Sequence, residues 1–137
     1  GELRTRGSKT AGQPWQVGIE KPITNERSAQ RIISLSNAAI ATSGDYRNFF
    51  EFNGVRYSHS INPLTGWPVP DNIGSVSVIA NDAMTADAWA TALLVKGSDE
   101  ALQLAEANDL AISIIQRGAD GKLTEQMSPA FAALLNN

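Results

Sequence analysis

Ser75-Val76-Ser77-Val78-Ile79-Ala80-Asn81-Asp82 runs straight into Ala83-Met84-Thr85-Ala86-Asp87-Ala88-Trp89-Ala90-Thr91-Ala92-Leu93-Leu94-Val95-Lys96 and halts at Gly97. The first part is rich in β-branched residues and reads as a strand. Asn81 or Asp82 can accept a hydrogen bond from the first free N–H groups of a helix. Gly97 can end that helix, because glycine tolerates the backbone turn that follows a last helical residue. The spacing therefore predicts a strand, a cap and a helix over 83–96. Further along, Ser98 with Asp99 and Glu100 opens a second helix to about residue 107. Its acidic first turn complements the helix dipole. Residues 110–116 form an apolar strand, Asp120-Gly121 turns the chain, and a short strand follows near Leu123. Ser128-Pro129 caps a final helix, with proline at its first position.

The upstream half is mostly strand. Asn53-Gly54 sits between 49–52 and 55–58, and both residues accept positive φ, so a tight hairpin is expected. Residues 31–35 and 38–42 read as two strands with a turn at Ser36-Asn37. Residues 15–19 alternate apolar and polar until Pro22 ends the run. Residues 3–6 make a short strand closed by Gly7, and 7–14 is loop. Trp15, Trp67 and Trp89 read as core or edge packing. The class is α+β: a mostly antiparallel sheet with two or three packed helices, in a single domain over 1–137.

Composition narrows the chemistry. The 137 residues suffice for a real core. The net charge of −3, from 14 acidic and 11 basic residues, gives no electrostatic footprint for nucleic acid and no polybasic patch for a membrane surface. With no cysteine, disulfides, thiolate metal sites and cysteine nucleophiles are excluded. With one histidine, His59, a multi-histidine zinc site within this chain is excluded too. No Gly-rich phosphate-binding fingerprint and no Gly-x-Ser-x-Gly elbow is present.

Two short segments carry the candidate chemistry. In the helix, Asp87 and Thr91 stand at i and i+4 and share one face. A carboxylate with a hydroxyl is a hard oxygen pair, suited to Mg²⁺ or Ca²⁺, with water or substrate phosphate completing the shell. The same spacing also fits an exposed Asp and an inward Thr. The other segment is His59-Ser60-Ile61-Asn62-Pro63-Leu64-Thr65-Gly66, directly after the hairpin. Histidine exchanges protons near neutral pH and can deprotonate an attacking hydroxyl. It can equally be a strand-end histidine bonded to a neighbouring carbonyl. Ser43-Gly44-Asp45-Tyr46 reads as a structural turn.

Taken in order, these segments resemble the ApbE family of FMN transferases. The family pattern is a His-x-Ile-(Asp/Asn)-Pro-x-Thr-Gly loop, a Val-rich strand, and a helix carrying Ala-Asp-Ala-x-(Ala/Ser)-Thr-Ala. Residues 59–66, 75–80 and 86–92 are similar to these. So are Gly1-Glu2-Leu3-Arg4, residues 15–22 and Thr42-Ser43-Gly44-Asp45-Tyr46. The resemblance implies a Mg²⁺-dependent enzyme that uses FAD, attaches FMN through a phosphoester to a Thr or Ser of a target protein, and releases AMP. It implies Asp87 and Thr91 as metal ligands, with Ala90 lying by the metal through its carbonyl. It implies His59 as the base, and Ile61, Asn62 and Thr65 as residues at the flavin nucleotide. Asn62 stands where many members have Asp. Subunits of membrane-bound electron-transfer complexes are the implied acceptors. The implied location is the periplasmic side of a bacterial membrane, lipid-anchored in the full-length parent. An FAD pyrophosphatase yielding FMN and AMP, and a non-catalytic flavin-binding module, are the alternatives. Family members are much longer, so the expectation is a C-terminal part that folds, binds FAD weakly and turns over little by itself.

Overall fold

Helix α1 (Ala83–Lys96) begins where Asp82 stops the preceding strand. The Asp82 side chain accepts hydrogen bonds from Thr85 through both the backbone N–H, at 2.8 Å, and the hydroxyl, at 2.9 Å. The structure is a computed structural model that describes residues 1–23, 27–46, 49–70 and 72–135. The described elements are β1 (Glu2–Arg4), a 3₁₀ turn, β2 (Trp15–Glu20), β3 (Ala29–Leu35), β4 (Ala39–Gly44), β5 (Phe49–Phe52), β6 (Val55–Ser58), β7 (Ile73–Ala80), α1, α2 (Ser98–Ala107), β8 (Ala111–Arg117), β9 (Leu123–Met127) and α3 (Pro129–Leu134).

One five-stranded sheet has the order β1-β4-β7-β8-β9, and β2-β3 and β5-β6 form separate two-stranded sheets. Each of these pairings is antiparallel, as the sequence predicts for an α+β chain. Antiparallel neighbours need only short connections, and most links here are short.

Both faces of the main sheet are covered. Val76 and Val78 of β7 and Ile112 and Ile114 of β8 point to one face, where Ala86, Ala90, Leu93 and Leu94 of α1 and Ala101 and Ala105 of α2 meet them. Ile40 and Ile115 point to the other, against Ile19, Ile33 and Leu35 of the β2-β3 pair and Phe131 of α3. Ser75, Ser77 and Ser113 are therefore buried as well, although they alternate with apolar residues. Thr42 and Ser77, opposite each other across β4 and β7, satisfy one another by a hydroxyl–hydroxyl bond of 2.8 Å.

The hairpin at Asn53-Gly54 forms as expected, with φ of 51° and 74° at the two turn residues. The turn at Ser36-Asn37 does something the sequence did not disclose. Strands β3 and β4 flank it but do not pair; β3 belongs to the small sheet and β4 to the main one. Asn37, at φ 53°, swings the chain between layers, and its Oδ1 accepts from Gly7 N at 2.8 Å. Of the tryptophans, Trp89 packs against the main core, whereas Trp67 is 70% exposed, contrary to the packing role expected of it. Among the described residues no helix is long and apolar enough to cross a membrane.

Candidate functional site

Three elements converge on one cleft of about 270 Å³. Strand β4 ends in Thr42-Ser43-Gly44 and supplies one wall. Helix α1 lies across β4 and β7 and supplies another. Strand β6 delivers His59 to the third side. His59, Asp87 and Thr91, far apart in sequence, thus border the same space, together with Tyr46 and Ser60.

The orientation of α1 follows from its apolar residues. Ala86, Ala90, Leu93 and Leu94 are buried and fix the inward stripe. Asp87 and Thr91, one turn apart, are left exposed beside it. Thr91 is therefore not the inward threonine that the spacing also allowed. Its Oγ1 lies 3.0 Å from Ser43 Oγ, so a hydroxyl of β4 orients the hydroxyl of the helix. The helix itself is anchored upstream by Asp82, whose carboxyl is held below the usual aspartate range by the Thr85 backbone N–H first and the Thr85 hydroxyl second.

Ala90 does not reach the cleft. Its side chain is fully buried in the main core, and its carbonyl lies in the interior of α1, where the i+4 ladder uses it. The flavin-contact candidates also lie elsewhere. Ile61 is half exposed and bridges Pro68. Asn62 closes the turn: its N–H donates to Trp67 O at 2.8 Å and its Oδ1 accepts from Leu64 N at 2.9 Å. Thr65 Oγ1 accepts from Trp67 N at 3.2 Å. These bonds hold the Pro-Gly turn together, and Ile61, Asn62 and Thr65 are not among the residues that line the cleft with His59.

Ser43, Gly44 and Tyr46 do line it, although the sequence reads this segment as a structural turn. The available signal was a run of small polar residues placed directly at a strand end. Among the described residues no group of three or more His, Asp or Glu side chains is placed to hold a metal. Among the described residues that line the cleft, Asp87 brings the one carboxylate, and Thr42, Ser43, Tyr46, Ser60 and Thr91 bring hydroxyls. This set fits a hard cation that keeps several waters or phosphate oxygens in its shell, and it does not fit a closed protein cage.

Known proteins resemble this chain over nearly its whole length. The ApbE family model matches residues 1–115. The chain is 46% identical over 135 residues to an FAD:protein FMN transferase of Haemophilus influenzae, covering 98% of this chain and 39% of that protein. It is 42% identical over 135 residues to the FAD:protein FMN transferase of Salmonella typhimurium, covering 98% and 38%. Among solved structures, the flavin transferase ApbE from Vibrio cholerae superposes with a TM-score of 0.82 at 43% identity, over 98% of this chain and 42% of that one. The apo form of Pseudomonas stutzeri flavinyl transferase ApbE gives 0.81 at 36% identity, over 100% and 42%. The chain spans about two fifths of the length of these relatives.

Proposed function

This chain belongs to the ApbE family, and on that premise we propose that it carries the proton acceptor and part of the metal site of an FAD:protein FMN transferase. The observation that supports this reading most is the convergence of His59, Asp87 and Thr91 on one cleft from two separate elements. An acceptor protein would present a Thr or Ser hydroxyl beside His59. The imidazole would take the hydroxyl proton as the oxygen attacks the phosphorus of the FMN half of FAD. The new O–P bond forms, the phosphoanhydride bond breaks, and AMP leaves with the electron pair. Asp87 and Thr91 would hold Mg²⁺ through their oxygens, with Ser43 fixing the rotamer of Thr91. When bound, Mg²⁺ offsets the negative charge that develops on the pyrophosphate oxygens. Two side chains such as Asp87 and Thr91 leave most of a hard cation's shell for substrate phosphate and water. We place the acceptor among subunits of membrane electron-transfer complexes and the protein on the periplasmic side of the membrane as part of the same proposal.

His59 is the sole histidine, so its ring gives one assignable NMR signal. Titrating the chain with FAD and Mg²⁺ is expected to move that signal. EDTA should reverse the movement and Asp87→Ala should abolish it. A His59 signal indifferent to FAD and Mg²⁺ would overturn the reading. Mass spectrometry of an acceptor peptide, run beside an AMP assay, separates transfer from hydrolysis: FMN appears on the peptide only in the first case.

A further inference from the structure

His59 rides on a hairpin that belongs to a different sheet from the strand and helix it must face. Strands β5 and β6 pair with each other, not with the five-stranded sheet that carries Ser43 and supports α1. Catalysis by positioned groups is sensitive to displacements of about 1 Å, so something must set the hairpin's place. Asp45, the residue after the β4 wall, is 1% exposed. Arg117, at the end of β8, aims both terminal guanidinium nitrogens at it, Nη1 to Oδ2 at 3.4 Å and Nη2 to Oδ1 at 3.4 Å. Arg117 Nη2 also donates to Pro22 O at 3.2 Å. Arg56, three residues before His59, donates from Nη2 to the Asp45 carbonyl at 2.7 Å and stands 3.8 Å from its Oδ1. The Arg56 guanidinium carbon lies 3.8 Å from the centroid of the Phe49 ring, so β5, the other strand of the hairpin, is gripped as well. The neighbouring wall has no slack: a Cβ on Gly44 would come within 2.6 Å of Gly74 O.

We propose that Asp45 is a positioning residue, which with Arg56 and Arg117 fixes the hairpin carrying His59 against the β4 wall of the cleft. Stability alone is a weak reason for such a cluster, because well-packed apolar residues in place of a buried ion pair are often neutral or stabilising. What an apolar replacement cannot supply is a two-armed, directional tie between three elements. Tyr46, next in the chain and also in the cleft, is tied in the same way, its hydroxyl donating to Glu20 Oε2 of β2 at 3.2 Å.

The inference rests on the reading of His59 as part of a working cleft, and the test keeps the two apart. The His59 ring resonance is recorded at fixed pH, without metal or FAD, in the wild type, Arg56→Ala, Arg56→Lys and Asp45→Asn. The signal is expected to shift or split in each folded variant, least in Arg56→Lys, while circular dichroism stays that of the wild type. Glu125→Gln, which breaks an ion pair elsewhere in the molecule, serves as the control and should leave it in place. A wild-type His59 resonance in folded Arg56→Ala overturns the proposal, whatever the melting temperature does. If that variant does not fold, Arg56→Lys decides by the same criterion. Mn²⁺ is then added. Relaxation broadening of the His59 signal, removed by Asp87→Ala, supports the shared cleft. No broadening in the wild type sinks that reading and leaves the metal-free result to judge Asp45.

Discussion

Thr91 shows how much a single hydroxyl depends on its neighbour. A threonine that is to offer a lone pair to a cation must have its hydroxyl oriented, and Ser43 Oγ, 3.0 Å away, shares a hydrogen bond with it. Partners that orient metal ligands typically contribute 10- to 100-fold in affinity. Ser43→Ala is therefore expected to weaken Mg²⁺-dependent FAD binding by about 10-fold with the fold unchanged, and Asp87→Ala to remove it. A fluorescence titration of flavin with and without EDTA measures both. Equal affinity in Ser43→Ala would mean that Thr91 is oriented by something else. For the reaction, His59→Ala in a protein that turns over should lower the rate of AMP release by about 10²- to 10⁴-fold, the usual worth of a positioned acid or base, while FAD affinity is retained.

Elements are specified by their ends here more than by their middles. Ser128 is buried at the start of α3, where its Oγ accepts from Phe131 N at 3.3 Å and from Ile112 N at 3.0 Å and donates to Leu110 O at 2.6 Å. One hydroxyl thus caps a helix and ties it to β8. Ser128→Ala deletes the cap and strips a buried N–H of that partner, so a loss of about 2 kcal/mol is expected in a urea melt. A cost near zero would show that the site collapses onto another partner. Such local signals are what a sequence displays well. Asn53-Gly54, Asp82, Gly97 and Ser128-Pro129 each act through their own or adjacent backbone, and each element they bound stands where the spacing put it. The failures were long-range. Nothing local to Ser36-Asn37 says that β3 and β4 part into different sheets, because that depends on which apolar face each strand must bury. Nothing local to Ser43 or Tyr46 says that they meet a helix some forty residues further on, and the turn that engages Asn62 and Thr65 with itself looks in one dimension like a ligand loop. His59, Asp87 and Thr91 stand out in the sequence through the family resemblance; chemistry and spacing alone also fit ordinary structural roles, and nothing local foretells that the three border one cleft.

At the scale of the whole molecule, the β2-β3 pair is held to the far edge of the main sheet by polar as well as apolar contact. Arg31 of β3 reaches Glu125 of β9 with both ends of its guanidinium fork, Nε to Oε1 at 3.1 Å and Nη2 to Oε2 at 2.7 Å, and Ser113 Oγ donates to the same carboxylate at 2.8 Å. Burial works against ionisation of Glu125, but the hydrogen bonds from Arg31, Ser113 and Gln30 and the Arg31 charge outweigh it, and its carboxyl is held below the usual glutamate value of 4.5. The same bond raises Arg31. A carboxyl that is easier to ionise in the folded chain than in the unfolded one stabilises the fold above the unfolded value, and that contribution is lost as pH falls through the folded one. Glu125→Gln is accordingly expected to destabilise the protein by about 1 kcal/mol near neutrality, the order of a bidentate pair that is only partly shielded from water. The gap between variant and wild type should narrow steadily as the buffer is taken below pH 4.5. Urea midpoints at pH 7 and at pH 3 test both statements. A gap that persists unchanged at low pH would assign the loss to packing of the amide and would leave the apolar residues Ile19, Ile33 and Leu35 as what holds the two layers together.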